Sequence, residues 1–96
     1  MRYFLLFYEV VEKFAEKREP YRPKHLGLVD TAHGRGELLL AGAYGDPPGG
    51  AALLFRAESA DLVRAFAEAD PYVTSGLVKS WSVHPWHVVI GEGSSR

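Results

Sequence analysis

Two polar side chains stand where apolar ones are expected, and together they could move a proton. If residues 24–33 form a helix, positions at 100° intervals gather Leu26, Leu28, Val29 and Ala32 in one arc, and His25 falls inside it. A second helix over residues 59–70 gathers Leu62, Val63, Phe66 and Ala69 on one face, with Asp61, Arg64 and Glu68 opposite. Asp70 lands on the apolar side, and in the last turn, where a carboxylate meets the unfavourable end of the helix dipole. An imidazole buried without a hydrogen bond costs roughly 1 to 3 kcal/mol, so each residue needs a partner, and each is a fit partner for the other. A carboxylate that holds one imidazole nitrogen fixes the tautomer and leaves the second nitrogen as a general base. The same two residues would equally serve as a hydrogen bond tying two helices together, or as two unrelated surface groups.

Other polar residues surround this pair in the sequence. Arg18, Arg22 and Lys24 precede His25 and could clamp an anion, with arginine the better fork for a carboxylate. Glu12, Glu16 and Glu19 are interleaved with them, so a solvated charged segment explains Arg18 and Lys24 as well. Tyr72 and Ser75 follow Asp70 and could hydrogen-bond a ligand, although a tyrosine after a helix end also serves as packing. His84 and His87 invite a metal reading, but positions three apart on a strand face opposite sides and no cysteine completes a set, so no metal is expected. His33 suits the C-terminal end of a helix. Nothing resembles a nucleophile elbow, a phosphate-cradling glycine loop or a dinucleotide fingerprint.

The elements that must position these residues follow from apolar pattern and punctuation. Tyr3 to Val10 is rich in aromatic and branched residues at successive positions, which reads as a first strand covered on both faces. A short helical turn or loop extends to Glu19, and Pro20 and Pro23 oppose one uninterrupted helix. Pro23 suits the first turn of a helix that runs to about His33 and stops at Gly34 and Gly36. Glu37 to Tyr44 and Ala51 to Ala57 read as a hairpin around a Pro-Gly turn cluster. Ser59 caps the second helix, which Pro71 ends at Asp70. A last strand spans roughly Lys79 to Ile90, with an edge or bend at Pro85, and a small polar tail from Gly91 to Arg96 is expected to fray.

The order β-α-β-β-α-β predicts a ferredoxin-like α+β domain, one antiparallel sheet with two helices on one face. Residues 1–96 suffice for a single domain. Runs such as Phe4-Leu5-Leu6-Phe7 and Leu38-Leu39-Leu40 leave the other sheet face apolar, an area of hundreds of square ångströms that calls for a partner. Sheet-to-sheet association of two copies, a homodimer or a larger assembly built on it, is the expectation.

Composition narrows the function classes. Eleven basic and twelve acidic residues give a net charge of −1, which exerts no pull toward nucleic acid or an anionic membrane. The absence of cysteine fits a reducing compartment, and that of asparagine and glutamine fits a heat-adapted source, a thermophile. The opening apolar run stops at Glu9 and lacks a cleavage pattern, and no segment is long enough to span a bilayer, so a cytoplasmic location is expected.

Arg22-Pro23-Lys24-His25-Leu26 resembles the Arg-x-x-His-Leu of the YciI-like (YCII-related) family, and Asp70-Pro71-Tyr72 resembles the Asp-Pro-Tyr after its second helix. The stretch Gly36 to Gly42 and the link at Gly76 fall at the expected places, so the resemblance covers essentially the whole chain. It implies a dimeric α+β barrel, related in architecture to muconolactone isomerases and small monooxygenases, with His25 and Asp70 as the active pair. Pro23 inside the first motif, Ala43 after Gly42 where proline is common, and Pro85-Trp86-His87 in place of a simpler Pro-Phe depart from the pattern, which bears on substrate shape. The expected function is a cofactor-independent lyase or isomerase acting on a small anionic or phenolic compound, with Arg22, Tyr72, Ser75 and Arg18 binding the substrate. The alternative is a non-catalytic binding or assembly module of the same fold.

Overall fold

A computed structural model describes residues 1–91. Its centre is strand β1 (Arg2–Val10), paired antiparallel with β3 (Gly50–Ala57) on one side and β4 (Val78–Trp86) on the other, while β2 (Leu38–Tyr44) forms the edge beyond β3. The spatial order is therefore β2-β3-β1-β4, and Leu6 sits opposite Leu53 on one neighbour and Val83 on the other. The long continuous apolar run occupies the position with a strand on each side; both of its faces were expected to be covered, and within the chain only one lies beneath the helices.

Alternation along β1 divides the sheet into two faces. Phe4, Leu6, Tyr8 and Val10 are buried and join Leu53, Phe55 and Ala57 of β3 beneath the helices. Burial of side chains of this size contributes about 1.5–3 kcal/mol each, so this layer is the main source of stability. Tyr3, Leu5 and Phe7 point the other way, where only part of their surface is covered. Leu40, opposite Leu54, and Trp86, opposite Tyr3, share that open face and stay 69% and 44% exposed.

On the covered face the chain forms α1 (Phe14–Lys17), α2 (Arg22–Gly34), α3 (Ala60–Ala69) and α4 (Pro71–Thr74). Lys13 takes a left-handed φ of 60° as the chain leaves β1 and turns into α1. Prolines at the second position of α2 and the first of α4 stand where a missing N–H costs no helical bond. Ser59 caps α3 by accepting from the Asp61 amide. His33 lies in the last turn of α2 as expected, and it also reaches forward and donates from Nδ1 to the Leu38 carbonyl at 2.8 Å, which ties the end of α2 to the start of β2.

Two expectations need amending. The chain after Asp70 makes another helical turn, α4, where a plain link was expected. The last strand runs through Pro85 and ends at Trp86, opposite Tyr3, where its partner β1 reaches its own start; it does not continue to Ile90. The expectation for the tail falls almost wholly on residues 92–96, outside those described.

Candidate active site

The site is built around Asp70, whose side chain has no exposed surface. Pro71 holds the preceding backbone in an extended conformation, φ −68° and ψ 123°, so that α3 stops and Asp70 becomes the N-cap of α4. Its Oδ1 accepts the Tyr72 amide at 3.0 Å. The carboxylate that looked misplaced at the end of one helix is thus correctly placed at the start of the next.

Two further donors converge on it. The Tyr8 hydroxyl donates to Oδ2 at 2.7 Å and His25 Nδ1 lies 2.8 Å from Oδ1. Three donors on two oxygens suit an ionised carboxylate, which only accepts. His25 Nδ1 therefore carries the proton, and in the neutral ring the lone pair resides on Nε2. The two helix residues singled out by their position do meet.

The His25 ring is held from its face as well as its edge. Tyr72 stacks on it with centroids 3.8 Å apart and planes within 12°. Phe14 packs edge-on against Tyr72 at 5.2 Å, and the Arg18 guanidinium lies 5.5 Å over the Phe14 ring. Packing thus runs from α1 through α4 to the imidazole on α2, and little rotation is left to it.

Beside this wall lies a cavity of about 190 Å³. His25, Tyr72, Tyr8, Arg18 and Arg22 contribute to its lining, so four residues expected in a site are gathered with one that was not. Its sheet side consists of Ala41, Gly42, Ala43 and Ala51, with Leu53 beyond. Leu26, 42% exposed, stands at its rim instead of in the core. Lys24 is exposed and takes no part in the lining. Ser75 also lies outside it, and its hydroxyl turns to the Tyr72 carbonyl at 3.4 Å.

Tyr8 is the residue of the candidate site that the sequence reading passed over. Its signal was phase: it alternates with Phe4, Leu6 and Val10, so its hydroxyl had to be buried and had to find an acceptor. Burial, then the adjacent Asp70 charge, then the hydrogen bond to it push the Tyr8 phenol well above the ordinary tyrosine range. Burial likewise raises Tyr72, while Arg18 and Arg22 pull it back down. Tyr8 is therefore a fixed neutral donor. Among the described residues no group of three or more His, Cys, Asp or Glu side chains gathers to hold a metal. His84, on the open sheet face, contacts the Ser82 hydroxyl at 2.9 Å and meets Phe7 edge-on.

The fold and the site together define a ferredoxin-like α+β domain in which a half-buried histidine, held by a buried aspartate, opens onto a cavity between helices and sheet. The YCII-related domain matches residues 1–87, and the chain belongs to that family. Protein YciI from Escherichia coli O6:H1 is 36% identical over 83 residues, covering 77% of this chain and 85% of that protein, and the Shigella flexneri protein YciI matches to the same extent. Among solved structures, 5-chloro-2-hydroxyhydroquinone dehydrochlorinase (TftG) from Burkholderia phenoliruptrix AC1100, in complex with 2,5-dihydroxybenzoquinone, superposes with a TM-score of 0.74 at 23% identity, over 97% of this chain and 99% of that one. An antibiotic biosynthesis monooxygenase superposes with a TM-score of 0.55 at 14% identity, over 94% and 100%. At these identities the two structures establish the fold alone. No helix among the described residues is long and apolar enough to cross a membrane.

Proposed function

We propose that the chain is a small lyase or isomerase, working without a cofactor, in which His25 moves a proton on a small anionic or phenolic compound. The observation that carries this reading is the 2.8 Å contact between His25 Nδ1 and the buried carboxylate of Asp70, at the wall of a cavity. Nε2 takes a proton from a substrate carbon or hydroxyl; the freed electron pair forms a new double bond, expelling a leaving group in a lyase or shifting a bond in an isomerase. Asp70 stabilises the imidazolium formed, and the proton returns to the product or departs with the leaving group. Arg22, Arg18 and Tyr72 position the substrate, and Ser75 supports Tyr72 through its backbone carbonyl. The dehydrochlorinase of like fold, a lyase seen with a quinone, favours this class of reaction and of substrate.

A screen of small acids and phenols in D2O, followed by proton NMR, tests the proposal without advance knowledge of the substrate. The parent should exchange a carbon-bound proton in at least one compound, and His25→Ala should not. Turnover unchanged in His25→Ala would sink it and leave the binding-module reading, in which His25 and Asp70 only hold the helices together.

We infer further that two copies associate through the open sheet face. Tyr3, Leu5, Phe7, Leu40, Leu54 and Trp86 give that face an apolar surface with no cover from the chain's own helices. A second copy of the same sheet supplies a matching surface at no cost in charge. Absent cysteine and a near-neutral balance of charge support a cytoplasmic setting.

A further inference from the structure

We propose that the cavity selects a ligand with a carboxylate on a single planar ring, and that Arg18 is the residue that recognises the carboxylate. This rests on reading the cavity as a small-molecule site, but not on any reaction taking place there.

The first observation is an unmet donor. The Nε of Arg18 is shut off from solvent and has no hydrogen-bond partner, the only such side-chain atom among the described residues. Glu16 and Glu19 flank Arg18 in the sequence, yet among the described residues the ion pairs join Arg35 to Glu37, Arg64 to Asp61 and Lys79 to Glu9. A buried N–H on a cation demands an acceptor. Arg18 lines the cavity, so a ligand oxygen is placed to provide one.

The second is geometric. Nε–H belongs to the side edge of a guanidinium, where it runs parallel to one terminal N–H, and that edge matches the two coplanar oxygens of a carboxylate. A phenolate has one oxygen and fills half of it. The Arg18 guanidinium carbon lies 5.5 Å over the Phe14 ring, a cation–π contact that restrains the side chain beside the cavity.

Size and shape set the rest. Engineered cavities of about 150 Å³ admit benzene, so about 190 Å³ takes one ring with one or two small substituents. The stacked His25 and Tyr72 rings make one wall, and the short side chains of Ala41, Ala43 and Ala51 make a surface without projections. Arg22 adds a second positive charge, at a position the family motif shares, whereas Arg18 lies outside that motif.

The test is an NMR titration of the full-length protein with three probes: benzoate, its uncharged isostere benzamide, and pentafluorophenolate, an anion with one oxygen. Benzoate should bind at least about tenfold more tightly than either of the others, the scale of one charge-assisted hydrogen bond. Arg18→Lys keeps the charge but loses the fork, and Arg18→Gln loses both; each should abolish the preference for benzoate, while Lys24→Ala should preserve it. Benzamide or the phenolate binding as well as benzoate would overturn the proposal. So would a preference that survives both Arg18 variants. His25→Gln separates this inference from the proposed reaction: proton exchange should vanish there while the Arg18-dependent preference persists.

Discussion

The ring of Tyr72 lies flat on the ring of His25, 3.8 Å between centroids, and the amide of the same Tyr72 donates to the carboxylate that holds His25 by its edge. One residue therefore fixes the imidazole plane directly and, through Asp70, its rotation within that plane. Such double fixing is what a proton-transfer group requires, since its lone pair must keep one direction while the substrate arrives.

Asp70→Asn tests the charge behind His25. The Tyr72 amide and His25 share Oδ1, so the asparagine keeps its carbonyl oxygen there and turns its NH2 to the Tyr8 hydroxyl, which can accept. The Nδ1 proton should stay in place in long-range nitrogen–proton correlation spectra, while loss of the negative charge beside the imidazolium should slow proton exchange on a substrate about 10²- to 10⁴-fold. Exchange as fast as in the parent would contradict the role given to Asp70.

Tyr8→Phe leaves one oxygen of a fully buried carboxylate without its donor. Urea unfolding should show a loss of about 1–3 kcal/mol at neutral pH. The parent should also weaken in alkali. The folded chain keeps the Tyr8 proton above pH ~10, where the unfolded chain releases it. The native state then binds more protons, so stability falls as pH rises past about 10, by up to about 1.4 kcal/mol per pH unit for this one group. Tyr8→Phe should flatten that descent, and an equal slope in both proteins would mean that the phenol is not held neutral by the fold.

Leu40→Glu places a charge on the open sheet face at a side chain already 69% exposed, so the single chain should lose no more than about 0.5 kcal/mol. Association of two copies should nonetheless weaken by an order of magnitude or more, read by sedimentation or light scattering across a dilution series. A parent that sediments as one chain at every concentration would dispose of the sheet-face dimer.

Two glycines should respond with opposite sign to alanine. Gly76 has φ +84° and open space around it, so alanine there incurs only the left-handed backbone strain, about 1–2 kcal/mol. Gly27 lies inside α2, also with open space, and alanine should stabilise by about 0.4–1 kcal/mol through the unfolded chain. Thermal melts of the pair, compared at one pH, would decide.

The sheet, its helices and the open apolar face were legible because period and punctuation agreed along most of the chain. The His25 and Asp70 pair was legible because each broke a helix pattern. Tyr8 was not, since a tyrosine on a core strand breaks no rule of type and shows itself only through the fate of its hydroxyl. The second helical turn at Pro71–Thr74 was missed for a related reason: Pro71 was read as a terminator, whereas a proline after an aspartate also starts a helix. Ser75 was drawn into the site by closeness in sequence to Asp70, but the turn of α4 aims its hydroxyl at the backbone.

The two side-chain bonds on Asp70 join residues 45 and 62 positions away along the chain, and so bring the first strand, the first long helix and the end of α3 to one point. Closing loops of that length carries an entropy cost that local structure cannot offset, so contacts of this kind form only when the whole topology is in place. The nitrogen signal of His25 is accordingly a report on the finished chain: helices formed without the sheet contacts would leave the Nδ1 proton without its partner.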